Sequence, residues 1–162
     1  RGFTWEAWNE AANWCAQNHT NLEEANLWAD TATGPNFGGA GSFTAWSTKA
    51  DILRQLGRTK EADDVMKKAL PLGSIVELHQ YGRLLLAQKK PKEALEVFTA
   101  NYKKYPGQFT TLMGMARGLS ANGNYKEALK YATEAQPLAP DPGNKVHVQE
   151  VIDKLKNGQD IN

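Results

Sequence analysis

A short marker recurs through this chain at a spacing that constrains its fold more than any other feature. Lys60-Glu61-Ala62, Lys92-Glu93-Ala94 and Lys126-Glu127-Ala128 follow a weaker Glu23-Glu24-Ala25, and their alanines stand 37, 32 and 34 residues apart. A second marker keeps the same period, because Pro106 and Pro140 are also 34 apart and each lies 12 residues after its alanine. A unit of this length is a single supersecondary element that cannot bury its apolar face alone, so successive units must stack.

Around each marker the pattern is that of a helix hairpin: an apolar-periodic segment, a short turn, then a second segment with alanines on one face. The turns are Gly57-Arg58-Thr59, Lys89-Lys90-Pro91 and Gly123-Asn124-Tyr125. Pro91 suits the first turn of a helix, where a missing amide hydrogen costs little, while Pro71, Pro106 and Pro140 punctuate helix ends. The pattern predicts helices near 5-18, 22-32, 43-56, 59-70, 74-88, 91-104, 109-121, 125-136 and 142-157. They pair as hairpins over about 5-32, 43-70, 74-104 and 109-136, within one domain spanning 1-162. The last helix places Val148, Val151, Ile152 and Leu155 on one face, as a cap for the final pair requires. The expected fold class is all-α, a right-handed superhelix of about four hairpins with a capping helix at 142-157.

Small residues where two helices cross let the backbones approach, and an aromatic ring fills the space beside them. In the third hairpin Gly82, Ala94, Phe98 and Pro106 supply such a set. The fourth repeats it with Ala116, Ala128, Ala135 and Pro140, and the second offers Trp46, Ala50, Gly57, Ala62 and Ala69. These residues resemble the tetratricopeptide repeat. The first hairpin fits less well: Trp8, Ala12, Cys15, Ala25 and Ala32 match, but the turn Asn18-His19-Thr20-Asn21 is one residue too long. A glycine-rich stretch at 31-42 interrupts the stack and reads as a mobile surface loop. All five tryptophans precede residue 47, more aromatic surface than a terminal unit needs.

Through Trp46-Ser47-Thr48-Lys49-Ala50 and His79-Gln80-Tyr81-Gly82 the chain also resembles the helical C-terminal half of bacterial proteins whose N-terminal domain has no known function. That resemblance implies an extracytoplasmic location, periplasmic or otherwise. The start at Arg1-Gly2-Phe3 reads as the edge of a processed or truncated product.

Composition removes several function classes. Nineteen basic residues nearly cancel eighteen acidic ones, which leaves no global field to draw the chain onto nucleic acid or an anionic membrane. The lysine pairs 67-68, 89-90 and 103-104 fall at helix ends, where they meet the helix dipole and solvent. No apolar run approaches the roughly 20 residues that cross a bilayer. The one cysteine, Cys15, excludes an internal disulfide, and its register places it in a hairpin core rather than beside a base. His19, His79 and His147 are scattered without metal-ligand spacing. The segment Gly34 to Gly41 lacks the Gly-Lys-Ser/Thr ending of a phosphate loop. Asn18-His19-Thr20 matches a glycosylation triplet common by chance and receives no function. Neither cofactor nor metal is implied, and no catalytic residue is assigned.

The expected activity is therefore non-catalytic: an interaction or scaffold module that holds a peptide or partner segment. The resemblance implies that the first helix of each pair lines a concave groove. The groove-facing register then holds Asn9 and Asn13, Asp51, His79 with Gln80 and Arg83, and Met113 with Arg117. Arg83 and Arg117 stand 34 residues apart and should stack, offering two guanidinium groups to an acidic peptide. The plainer alternative pairs each arginine with a nearby acid such as Asp51 or Glu77. A second functional alternative makes the chain a structural appendage whose tryptophan-rich first hairpin docks on a missing N-terminal domain. A catalytic role ranks behind both, since it would need convergent titratable groups in a deep pocket.

Overall fold

The computed structural model describes residues 4–162, so the reading of Arg1-Gly2-Phe3 lies outside it. Among the described residues there are nine α-helices and no strand. They are α1 (Trp5–Gln17), α2 (Leu22–Thr33), α3 (Phe43–Gln55), α4 (Thr59–Ala69), α5 (Ile75–Ala87), α6 (Pro91–Lys104), α7 (Phe109–Ala121), α8 (Tyr125–Ala135) and α9 (Pro142–Lys156). The chain divides into two compact units, Arg1–Gly73 and Ser74–Asn162.

The first helix of each hairpin stops by the same device. The residue after its last turn adopts positive φ, and the following amide reaches back to a carbonyl five residues earlier. Gly57 (φ 76°), Lys89 (φ 60°) and Gly123 (φ 80°) hold this position. The closing bonds are Arg58 N–H to Leu53 at 2.8 Å, Lys90 N–H to Leu85 at 2.9 Å and Asn124 N–H to Leu119 at 2.9 Å. His19 (φ 51°) does the same after α1, and Asn21 (φ 48°) adds a second left-handed residue. The first turn is thus one residue longer than the others.

In the first unit α1 and α2 pack on each other and on α3, which pairs with α4. Ala12, Cys15, Ala16, Ala25, Ala29 and Ile52 form the core, with Trp28 and Leu56 against it. The Cys15 thiol is buried there as a small apolar group. The stretch expected to be a mobile loop is fastened instead. A 3-10 turn at Gly39–Gly41 forms within it, the Trp46 indole donates to the Ala40 carbonyl at 2.8 Å, and Phe37 meets Trp8 edge-on at 6.3 Å. A side chain at Gly39 would overlap the Ala32 carbonyl oxygen and the Trp5 side chain, so glycine permits a close backbone approach here.

In the second unit α5 pairs with α6, α7 with α8, and α7 also rests on α5 and α6. Ser74 caps α5 in a full capping box with Glu77. The core centres on Phe98, only 1% exposed. A methyl group added at Gly82 would lie 2.5 Å from its Cε1, one at Gly114 2.8 Å from Cδ1, and one at Gly118 3.0 Å from Cδ2. The ring of α6 is thus seated in a notch made by glycines of α5 and α7. Helix α9 covers α8 with Val148, Val151, Ile152 and Leu155. Beyond it the chain returns to α7: Ser120 Oγ donates to Asp160 at 2.7 Å, the Ile161 amide donates to Ser120 Oγ at 3.1 Å, and Ile161 is buried.

Candidate functional site

Helices α5 and α7, the first members of their hairpins, lie side by side and present equivalent positions along one face. Along α5 that face reads Val76, His79, Gln80, Arg83, Leu86 and Ala87, and along α7 Phe109, Thr110, Met113, Arg117 and Ala121. The steps of three and four residues keep these side chains on one stripe of each helix.

Two cavities open on this face, and the same arginine pair lines both. One, of about 370 Å³, is bounded by Val76, His79, Gln80, Phe109, Thr110 and Met113, with Asn144 and His147 from α9. The other, of about 450 Å³, is bounded by Leu86, Ala87, Lys89, Pro91 and Ala121, with Asp160 and Asn162 from the returning tail. Arg83 and Arg117 belong to each, so the cationic pair sits between two partly apolar hollows.

The electrostatics are unbalanced. No ion pair among the described residues involves Arg83 or Arg117. Of the acids expected as plainer partners, Glu77 accepts from the Ser74 amide at 2.8 Å, and Asp51, a residue of the first unit, accepts from Gln55 at 3.1 Å. Burial and the neighbouring charge of Arg83 both lower the pKa of the half-buried Arg117 guanidinium. Its Nη2 lies 3.3 Å from His147 Nε2, which accepts when neutral. Asp160 is the one carboxylate on the cavity walls. Burial pushes its pKa up, but hydrogen bonds from Ser120, Asn162 and Ile161 outweigh that and hold it ionised below the usual range.

His79 forms part of the floor. Its ring lies 5.7 Å from that of Phe98, tying the site to the core. Burial, then the charges of Arg117 and Arg83, depress its pKa from 6.5 to about 4, against a smaller opposing effect of the Thr110 backbone. The imidazole is therefore neutral near pH 7, and its buried Nδ1 has no hydrogen-bond partner.

Of the eight residues expected to contact a partner, the structure gathers His79, Gln80, Arg83, Met113 and Arg117 around one cavity. Met113 is 4% exposed and serves as floor rather than as a projecting contact. Asn9, Asn13 and Asp51 belong to the first unit. Asn9 is 7% exposed, because its position on α1 turns toward the hairpin core with Ala12 and Cys15, which corrects its reading as an open contact. The contributions of α9 and the tail are not legible in the repeat pattern. A capping helix is recognised by its apolar stripe, and Asn144 and His147 lie off that stripe.

Among the described residues no group of three or more His, Cys, Asp or Glu could hold a metal ion. No helix among them is long and apolar enough to cross a membrane.

Comparison with known proteins agrees with this architecture. No curated protein matches the chain. Residues 43–72 match the tetratricopeptide repeat model. The chain is similar to the solved structure of YrrB, described as a tetratricopeptide-repeat protein with an unusual peptide-binding site, at 20% identity over 93% of this chain and 77% of that one, with a TM-score of 0.50. It is also similar to a putative kinesin light chain from Podosopora anserina with nearly identical tetratricopeptide-like repeats, at 14% identity over 94% of this chain and 85% of that one, with a TM-score of 0.54. The chain therefore has an all-helical fold of the tetratricopeptide-repeat type.

Proposed function

We propose that the second unit binds an acidic peptide segment of a partner protein across Arg83 and Arg117, and that the chain acts as an interaction module. The observation that carries this reading is the pair of neighbouring guanidinium groups shared by two cavities with no carboxylate in ion-pair range. A half-buried Arg117 beside the like charge of the exposed Arg83 is unfavourable until an anion joins them, and guanidinium groups meet carboxylates through charge-assisted, often bidentate hydrogen bonds. The neutral His79 adds no third charge near pH 7.

Titration of an acidic peptide library against the protein and against Arg83→Ala plus Arg117→Ala tests this. The double variant should lose on the order of 100-fold in affinity and show a shallower salt dependence. Unchanged affinity and salt dependence would end the proposal.

A second reading has the aromatic first hairpin dock on another domain of a longer, exported polypeptide. It draws on Trp14 and Leu27, which are 60% and 63% exposed on α1 and α2. Trp14→Ser should then weaken association with that domain and leave acidic-peptide binding unchanged, as co-purification would show.

A further inference from the structure

Resting on the acidic-peptide reading, we infer that the site recognises a spaced motif, an acidic residue flanked by one apolar side chain in each direction, rather than negative charge alone. The arginine pair has a hollow on either side along the helix axes. Toward the helix N-termini the hollow is lined by Val76, Phe109 and Met113. Toward the C-termini it is lined by Leu86, Ala87, Pro91 and Ala121. Val76 stands half exposed at its rim without an apolar cover, as does Ala87 at the other.

The helix geometry fixes the spacing. Val76 precedes Arg83 by seven residues and Ala87 follows it by four. At a rise of about 1.5 Å per residue these steps are roughly 10 Å and roughly 6 Å. An extended peptide advances about 3.3 Å per residue, so the acid sits about three residues from one apolar side chain and about two from the other. Charge supplies the occupant's sign: Arg83, Arg117 and Lys89 face this path, and Asp160, the carboxylate on its wall, is held by Ser120 and Asn162. The occupant is thus a protein segment of about six residues, acidic at its centre and apolar at both ends. A run of acids without the flanking side chains would meet the arginines and leave both hollows wet.

Fluorescence anisotropy on the whole chain separates these cases. The probes are a labelled peptide with aspartate at its centre and leucines three residues before and two after, its spacing-reversed counterpart, and versions with either leucine changed to serine. In the better-fitting register, each serine replacement should cost about tenfold in affinity, the value of burying part of one leucine. Val76→Ser, at an exposed rim position where circular dichroism should show an unchanged fold, removes one wall. On that variant the penalty for one leucine should vanish while the penalty for the other stays. If aspartate peptides bind in an Arg83- and Arg117-dependent way but the serine versions bind within twofold of the parents, the spaced-motif inference is overturned and the arginine reading stands. If no peptide shows arginine-dependent binding, both are overturned.

Discussion

At residue scale the second unit is governed by the fit of Phe98 against three glycines. Gly82→Ala places a methyl group 2.5 Å from the ring, and ring and helix must shift to admit it. Overpacking of this kind should cost about 1–3 kcal/mol, read as a lower urea midpoint with an unchanged slope. Lys89 presents the opposite case. It holds the left-handed position that glycine holds at 57 and 123, and a side chain there is strained. Lys89→Gly should stabilise the protein by about 1 kcal/mol, although it removes a cation from the rim of the site. His79 links stability to pH. Its folded pKa, about 4, lies below the ordinary 6.5, so between these values the unfolded chain binds the proton and the folded chain does not. The contribution is complete above pH 6.5 and is lost as pH falls toward 4. His79→Gln should therefore flatten the dependence of unfolding free energy on pH in that window, as denaturant titrations across it would show.

At the scale of elements, helix termini carry much of the information. Ser74 and Glu77 close a reciprocal capping box at the head of α5, the helix that supplies half of the proposed binding face. Ser74→Ala should cost about 1 kcal/mol and speed hydrogen exchange in the first turn of α5. These elements are legible in the sequence because their signals are local: the Gly57 and Gly123 turns, Pro91 at a helix start, the apolar stripe of α9. Other features depend on contacts that no local pattern encodes. Nothing in the period announces that the 31-42 stretch is fastened, because its anchors are the Trp46 indole and the absence of a side chain at Gly39. The return of Asp160 and Ile161 to Ser120 is equally silent, since a polar tail after a last helix reads as free.

At the scale of the whole molecule, the near cancellation of charge makes recognition a local matter. The formal net charge is +1, so a partner is not steered from a distance. Association of an acidic peptide should proceed at about 10⁵–10⁶ M⁻¹s⁻¹ with weak dependence on ionic strength, measurable by stopped flow. Dissociation should carry the larger salt effect. The repeat period by itself makes Arg83 and Arg117 legible as a pair, since residues one period apart occupy equivalent places on successive hairpins. It does not reveal that two hollows flank them, because those depend on α9 and on the tail. Phe98 sets a further condition on how such a chain can change. Three glycines on two helices answer to one ring, so none of the four can be exchanged freely by itself. A defect at Gly82 should instead be suppressible from a second site: Phe98→Leu, harmful alone, should restore part of the stability that Gly82→Ala removes, so that two damaging changes tolerate each other better than the parent tolerates either.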